Sequence, residues 1–190
     1  LSTRDPNRVF LEVMNEPAMK DPARWNSVQR QVLAAMREAA PRHTLIASAP
    51  GYSGAGELDK VEVVADRNVV YNFHCYDPLK FTHQGATWTP DIIPGERMKF
   101  EDSETSEAYF EELFSTAIST AEKYGTTLYC GEYGVIDVVS AEDSLKWFKV
   151  INKVFSKHGI SRAVWNYKEM DFGISDSKYD SNREEILKYL

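Results

Sequence analysis

Short apolar runs alternate with longer amphipathic stretches along the whole of this 190-residue chain. The runs fall at residues 9–14 (VFLEVM), 44–49 (TLIASA), 68–76 (NVVYNFHCY), 126–131 (TTLYCG) and 161–167 (SRAVWNY). They are short, apolar and mostly closed by Pro, Gly or a charged group, so they read as strands. In the first, Val9, Phe10, Leu11, Val13 and Met14 are expected to form a mostly buried strand, which Pro17 cannot continue. Between the runs, Asp21-Pro22 gives a cap and a first-turn proline, and Trp25, Val28, Val32, Met36 and Ala39 recur at helical spacing up to Pro41. Residues 57–65 are weakly helical. Phe110, Leu113, Phe114, Ala117, Ile118, Ala121 and Tyr124 make an amphipathic stripe closed by Gly125. Ser140 with Asp143 opens a helix that buries Leu145, Phe148, Ile151, Val154 and Phe155, and Ser181 with Glu184 opens a short closing one. Strict alternation implies an α/β fold, with parallel strands joined by right-handed crossovers and helices outside.

The length and the 43% hydrophobic content suit a single domain over residues 1–190. The net charge is −7 and the acidic residues are scattered. A phosphate-binding surface needs a basic stripe, so nucleic acid is not an expected partner and a neutral ligand suits the balance better. No apolar run reaches membrane-spanning length and no secretory pattern opens the chain, so no membrane partner is expected either. Residue 1 is Leu, a start expected of a processed product or an internal segment, and the compartment is not readable from a leader. Cys75 and Cys130 lie in separate predicted strands and read as buried free thiols. His43 and His83 are isolated, and no spacing supports a zinc site; no metal is expected.

The ends of the runs carry the chemistry. The first delivers Asn15 and Glu16, the third His74 and Tyr76, the fourth Glu132 and the fifth Trp165. Parallel strands present their C-terminal ends on one side of a sheet, where sites of α/β folds are built. Glu12 shares parity with Glu16, and Asn72 with His74 and Tyr76, so polar groups line one face below the rim. Glu12 is expected to be structural. Residues 77–103 have no clear periodicity, and a loop of that length carrying Phe81, His83, Gln84 and Trp88 reads as a structured lip. Trp25 and Tyr52 read as packing residues, and Lys168 and Glu169 as a solvated loop. Two carboxylates at one rim are what cleavage of a glycosidic bond requires, one to give a proton and one to attack.

NEP at residues 15–17, HCYDP at 74–78, YCGEYGV at 129–135 and WNYKEMDFGI at 165–174 together resemble glycoside hydrolase family 5. FTHQGATWT at 81–89 resembles the loop before the sixth helix in bacterial endoglucanases of that family. The resemblance runs from Arg8 to about Ser181 and matches strands four to eight of an eight-stranded barrel. It implies a partial (β/α)8 TIM barrel of about five βα units, and a retaining endo-β-1,4-glucanase that needs no cofactor. It implies Glu16 as general acid/base and Glu132 as nucleophile. Asn15 would bind the sugar 2-hydroxyl, and His74 and Tyr76 would position the nucleophile and the sugar ring. Trp165 would form a stacking floor, and Trp88 a substrate-binding lip. Mannan and xylan are alternative substrates for the same chemistry, and a non-catalytic carbohydrate-binding remnant is the alternative function. The resemblance also implies secretion. The segments that would supply an arginine on the second barrel strand and a histidine on the third are not in the chain. Two open sheet edges are therefore expected, and they invite a homo-oligomer that completes the barrel. The partner of Glu12 is expected on the missing strands.

Overall fold

The computed structural model describes residues 3–190, so Leu1 lies outside the described residues. Five strands follow one another in a sheet in chain order: β1 (Leu11–Glu12), β2 (Leu45–Ser48), β3 (Val69–Cys75), β4 (Thr127–Tyr133) and β5 (Ser161–Val164). β1 pairs with β2 and β2 with β3, both in parallel, with Leu11 opposite Leu45 and Leu45 opposite Val69. Parallel neighbours need long crossovers. Helix α1 (Pro22–Ala39) lies between β1 and β2, α2 (Glu107–Tyr124) between β3 and β4, and α3 (Ala141–Lys157) between β4 and β5. The backbone groups into two compact units, one holding the chain up to His74 with Leu113–Tyr129, the other Cys75–Glu112 with Cys130–Leu190.

In the first unit, Oδ1 of Asp21 caps α1 by accepting from the backbone N–H of Ala23 and Arg24 at 3.0 and 3.3 Å. The buried stripe of α1 runs through Trp25, Gln29 and Leu33, and Val28 is exposed, contrary to the stripe expected from apolar spacing alone. Hydrogen bonding explains the rotation. Trp25 Nε1 donates to the Ser48 carbonyl at 2.9 Å, and Gln29 Oε1 accepts from the Ser48 N–H at 2.8 Å. A buried peptide group left without a partner costs about 1–3 kcal/mol, so the face that satisfies Ser48 turns inward. α2 packs on the sheet through Phe114, whose ring centroid lies 5.1 Å from that of Phe73.

Two expected elements of this unit differ. The first strand is two residues long rather than a mostly buried run, and Phe10 and Met14 are 54% and 51% exposed. β1 stands at the edge of the sheet and has a neighbour on one side only. The weak helix expected at 57–65 is a 3-10 segment, Ala55–Lys60. It stops because Asn26 of α1 takes the next backbone: its Nδ2 donates to Lys60 O at 2.7 Å and its Oδ1 accepts from Glu62 N at 2.9 Å.

The second unit is organised on α3. Ser140 Oγ accepts from Asp143 N at 3.1 Å, and Trp147, Phe148, Ile151, Val154 and Phe155 are buried. Trp147 replaces the expected Leu145 in the inward face, because Tyr133 of β4 packs flat on its ring and edge-on to Phe148 and Phe155. Residues 77–103 are ordered by a buried amide. Gln84 Nε2 donates to Phe81 O and Met98 O at 3.0 Å each, and its Oε1 accepts from Met98 N at 2.9 Å. Asn182, rather than Ser181, stands before the short helix Arg183–Ile186, with its side chain given to Ala141 O at 2.8 Å. Cys75 and Cys130 are free and buried, and burial pushes both thiols well up. No helix among the described residues is long and apolar enough to cross a membrane.

Candidate active site

In the first unit a line of hydrogen bonds runs along one face of β1, β2 and β3. Glu12 Oε1 accepts from Ser48 Oγ at 3.0 Å and from Asn72 Nδ2 at 2.7 Å. The partners of Glu12 therefore come from β2 and β3 of this chain, not from strands outside it. The reason is parity: Glu12, Ser48 and Asn72 project from the same side of adjoining strands. Asn72 Nδ2 also lies 3.3 Å from His74 Nε2, and His74 Nδ1 lies 2.8 Å from Glu16 Oε1. An amide nitrogen can only donate, so Nε2 is the accepting nitrogen of a neutral imidazole and Nδ1 carries the proton toward Glu16.

Asn15 and Glu16 follow β1. The Asn15 carbonyl accepts from Ser53 Oγ at 2.8 Å, while its side chain is exposed and has no hydrogen-bond partner among the described residues. Tyr52, expected in the packing, is 62% exposed. Its backbone explains this: φ is positive from Gly51 to Ser53, and its N–H donates to Pro17 O at 3.0 Å.

In the second unit, Tyr76 Oη donates to Glu132 Oε2 at 2.8 Å. Glu132 is the second-last residue of β4. The Tyr76 ring meets the His83 ring at 5.0 Å and 89°, and the Phe172 ring at 5.6 Å and 67°. Its carbonyl accepts from Thr82 Oγ1. Trp165 follows β5, donates its N–H to Tyr133 O at 2.8 Å, and keeps 37% of its surface exposed. Trp88 stands in the loop after β3 and is 57% exposed. A Cβ at Gly134 would overlap the Trp165 carbonyl oxygen, so only glycine lets β5 close on β4 there.

His74 and Tyr76 are expected to position the nucleophile and the sugar ring; His74 Nδ1 lies 2.8 Å from Glu16 Oε1, and Tyr76 Oη donates to Glu132 Oε2 at 2.8 Å. Residue order along β3 hides this, because parity gives both side chains one face without saying what each reaches. Sequence reasoning also missed Thr82, Gly134 and Phe172. Gly134 lies inside the YCGEYGV motif and Phe172 inside WNYKEMDFGI, so both were in view without a stated role.

The match to known proteins agrees with this arrangement of strands. The family model for cellulase, glycosyl hydrolase family 5, matches residues 3–171. The chain belongs to that family. It is 66% identical to cellodextrinase A of Ruminococcus flavefaciens over 161 residues, covering 83% of this chain and 47% of that protein. It is 29% identical to endoglucanase C of Acetivibrio thermocellus over 206 residues, covering 96% of this chain and 59% of that protein. Among solved structures, a hyperthermophilic endo-β-1,4-glucanase in complex with substrate superposes with a TM-score of 0.81 at 30% identity, over 90% of this chain and 55% of that one. Thermotoga maritima Cel5A in complex with mannotriose superposes at 0.79 and 25% identity, over 95% and 59%. The chain thus spans about half the length of the curated relatives, 47% and 59% in these two cases. The expected α/β class, five parallel strands of a (β/α)8 barrel, is borne out.

Proposed function

We propose that the chain carries the catalytic pair of a retaining β-1,4-glucan hydrolase. Glu16, protonated, gives its proton to the departing glycosidic oxygen while Glu132, ionised, attacks the anomeric carbon. The C–O bond to the leaving sugar breaks as the Glu132 ester forms. Glu16, now ionised, takes a proton from water, whose oxygen displaces Glu132 and restores both groups. Two inversions at one carbon give net retention. No step needs a metal or cofactor.

One observation carries the reading: each glutamate is gripped by its own residue from the end of β3, Glu16 by His74 and Glu132 by Tyr76, both at 2.8 Å. A reacting carboxylate must be aimed, and positioned groups gain most of their advantage from that aim. Asn15, with its side chain exposed beside Glu16, suits a sugar hydroxyl. Trp165 and Trp88 offer exposed ring faces for pyranose stacking. The relative named cellodextrinase, 66% identical, supports cello-oligosaccharides alongside longer β-glucan as substrates. Polymeric glucan is met outside the cell, so the proposed work is extracellular.

Reducing-sugar release from soluble cellulose derivatives, with the unchanged chain, Glu16→Gln and Glu132→Gln, tests this. Release by the unchanged chain alone is expected. Equal release from all three, or none from any, would overturn the proposal in favour of a carbohydrate-binding remnant. A second reading is the same chemistry on mannan. It is favoured by the likeness to Thermotoga maritima Cel5A, solved with mannotriose and with cellobiose at 25% identity each. Rates on cellulose derivatives, mannan and xylan side by side separate the substrates.

A further inference from the structure

Tyr76 is braced by two rings, and the segments that carry both are held by the backbone just past the strand that carries Glu132. Two successive backbone N–H groups just past β4 hold the two supporting segments. Ile136 N donates to Thr82 O at 2.9 Å, and Asp137 N donates to Asp171 O at 2.6 Å. The next residue along each held segment is His83 or Phe172, and these are the two rings packed against Tyr76. The rings also meet one another, with centroids 5.1 Å apart. Thr82 grips the Tyr76 carbonyl, so backbone and ring are fixed together.

The path is closed. It leaves the segment just past β4 at Ile136 and Asp137, crosses to His83 and Phe172, passes through Tyr76, and reaches β4 at Glu132. A phenol free to swing about its side-chain bonds would hold a carboxylate only part of the time. Here two edge-on contacts, at 89° and 67°, come from rings that also pack on one another and together resist that swing. Phe172 is buried, and its Cδ1 would lie 3.4 Å from a Cβ at Gly134, so it has little room to shift. Aromatic pairs in such geometry favour one orientation of the ring severalfold.

We propose that Phe172 and His83 are positioning residues for Glu132, acting through Tyr76. The inference rests on the proposed role of Glu132, but its physical part, the fixing of Tyr76 on that carboxylate, is measurable without turnover. Phe172 is the sharper probe, because it touches the phenol through its ring alone.

The test uses the whole chain with Tyr76→Phe, Phe172→Ala, Phe172→Leu, Phe172→Tyr and the double variant Tyr76→Phe/Phe172→Ala. The first readout is the carboxyl 13C resonance of Glu132 at one fixed pH, assigned by its loss in Glu132→Gln. Tyr76→Phe is expected to displace it, Phe172→Ala and Phe172→Leu to displace it in the same direction, and Phe172→Tyr to restore it. The milder leucine variant keeps the test open should the alanine variant not fold. The second readout is turnover of a soluble β-glucan. Phe172→Ala should lower kcat about tenfold to a hundredfold with KM within about twofold, the pattern of a misaimed group. The double variant should be no slower than Tyr76→Phe alone, because the phenol it supports is already gone. A Glu132 resonance unmoved in both Phe172→Ala and Phe172→Leu, or losses that multiply in the double variant, would overturn the inference. A displaced and restored resonance in a chain without turnover supports the brace and counts against the proposed function instead.

Discussion

The imidazole of His74 bridges two side chains, with Nδ1 at 2.8 Å from Glu16 Oε1 and Nε2 at 3.3 Å from Asn72 Nδ2. Asn72 is fixed in turn by Glu12 at 2.7 Å, so a directed line of donors runs from Asn72 through His74 to Glu16. If Glu16 is the acid, the line matters most when the leaving group needs a proton. His74→Ala should lower kcat/KM on cello-oligosaccharides about a hundredfold, in the range that positioned general acids contribute. The loss should be much smaller on an aryl cellobioside with a strongly acidic phenol as leaving group, since that bond breaks without help. Steady-state rates on both substrates decide it. Equal losses would remove His74 from the proton-giving step.

Gly134 is a position where added bulk would meet backbone that cannot give way. A methyl group there would overlap the Trp165 carbonyl oxygen and sit 3.4 Å from Phe172 Cδ1. The carbonyl is backbone and also follows the Trp165 N–H bond to Tyr133 O at 2.8 Å, so it cannot swing away without opening the contact between β5 and β4. Gly134→Ala is expected to cost about 2 kcal/mol or more in urea unfolding, within the range of strained or overpacked sites. Gly125→Ala is a useful contrast. It has open space but a φ of 63°, so its cost should stay near 1 kcal/mol.

The chain shows its strand ends more plainly than its contacts. Pro17, Pro78 and Gly125 mark boundaries because proline and glycine act on the backbone directly, and β3, α2 and α3 fall where periodicity puts them. The stripe of α1 is misread because apolar spacing favours Val28, whereas the decisive partner is the peptide group of Ser48, far away in sequence. For the same reason sequence alone points to a partner for Glu12 outside the chain. Parity shows that it faces inward, but only coordinates show Ser48 and Asn72 beside it. Motif spacing brought Glu16, His74, Tyr76 and Glu132 into view, and left open which residue grips which glutamate. That is a matter of side-chain reach, which no one-dimensional pattern carries.

Lys178 gives a pH signature of its own. Burial lowers its pKa from 10.5 to about 7, with Asp137 pulling weakly the other way. Its Nζ donates to Ile136 O at 2.9 Å and lies 4.5 Å from the centre of the Tyr179 ring. Below about pH 7 the lysine is charged in both folded and unfolded chains, and the cost of burying the charge is fully present. Between about 7 and 10.5 the folded chain holds it neutral while the unfolded chain still binds a proton, so this group adds stability as pH rises. Lys178→Met removes the dependence. The unfolding midpoint of the variant relative to the unchanged chain should therefore be highest near about pH 6 and fall steadily toward about pH 10. A difference that stays flat across that range would show that Lys178 keeps its ordinary pKa.

Gln29 supplies the last prediction, because spacing and structure disagree about it in sign. Periodicity puts Val28 on the buried face and leaves Gln29 to solvent, so Gln29→Leu would be harmless and Val28→Ala costly. In the structure Gln29 is buried, with Oε1 on the Ser48 N–H at 2.8 Å, and Val28 is exposed. A leucine has similar bulk but no acceptor, and would leave that N–H buried and unpaired at the end of β2. The expected cost is about 1–3 kcal/mol. Val28→Ala should stay within about 0.5 kcal/mol, as exposed substitutions usually do. Urea unfolding of the two variants, with equal slopes to show that the unfolded chain is unchanged, reads both numbers. If the valine variant proves the weaker of the two, α1 is rotated about its axis from the orientation described, and the grip of Trp25 and Gln29 on Ser48 goes with it.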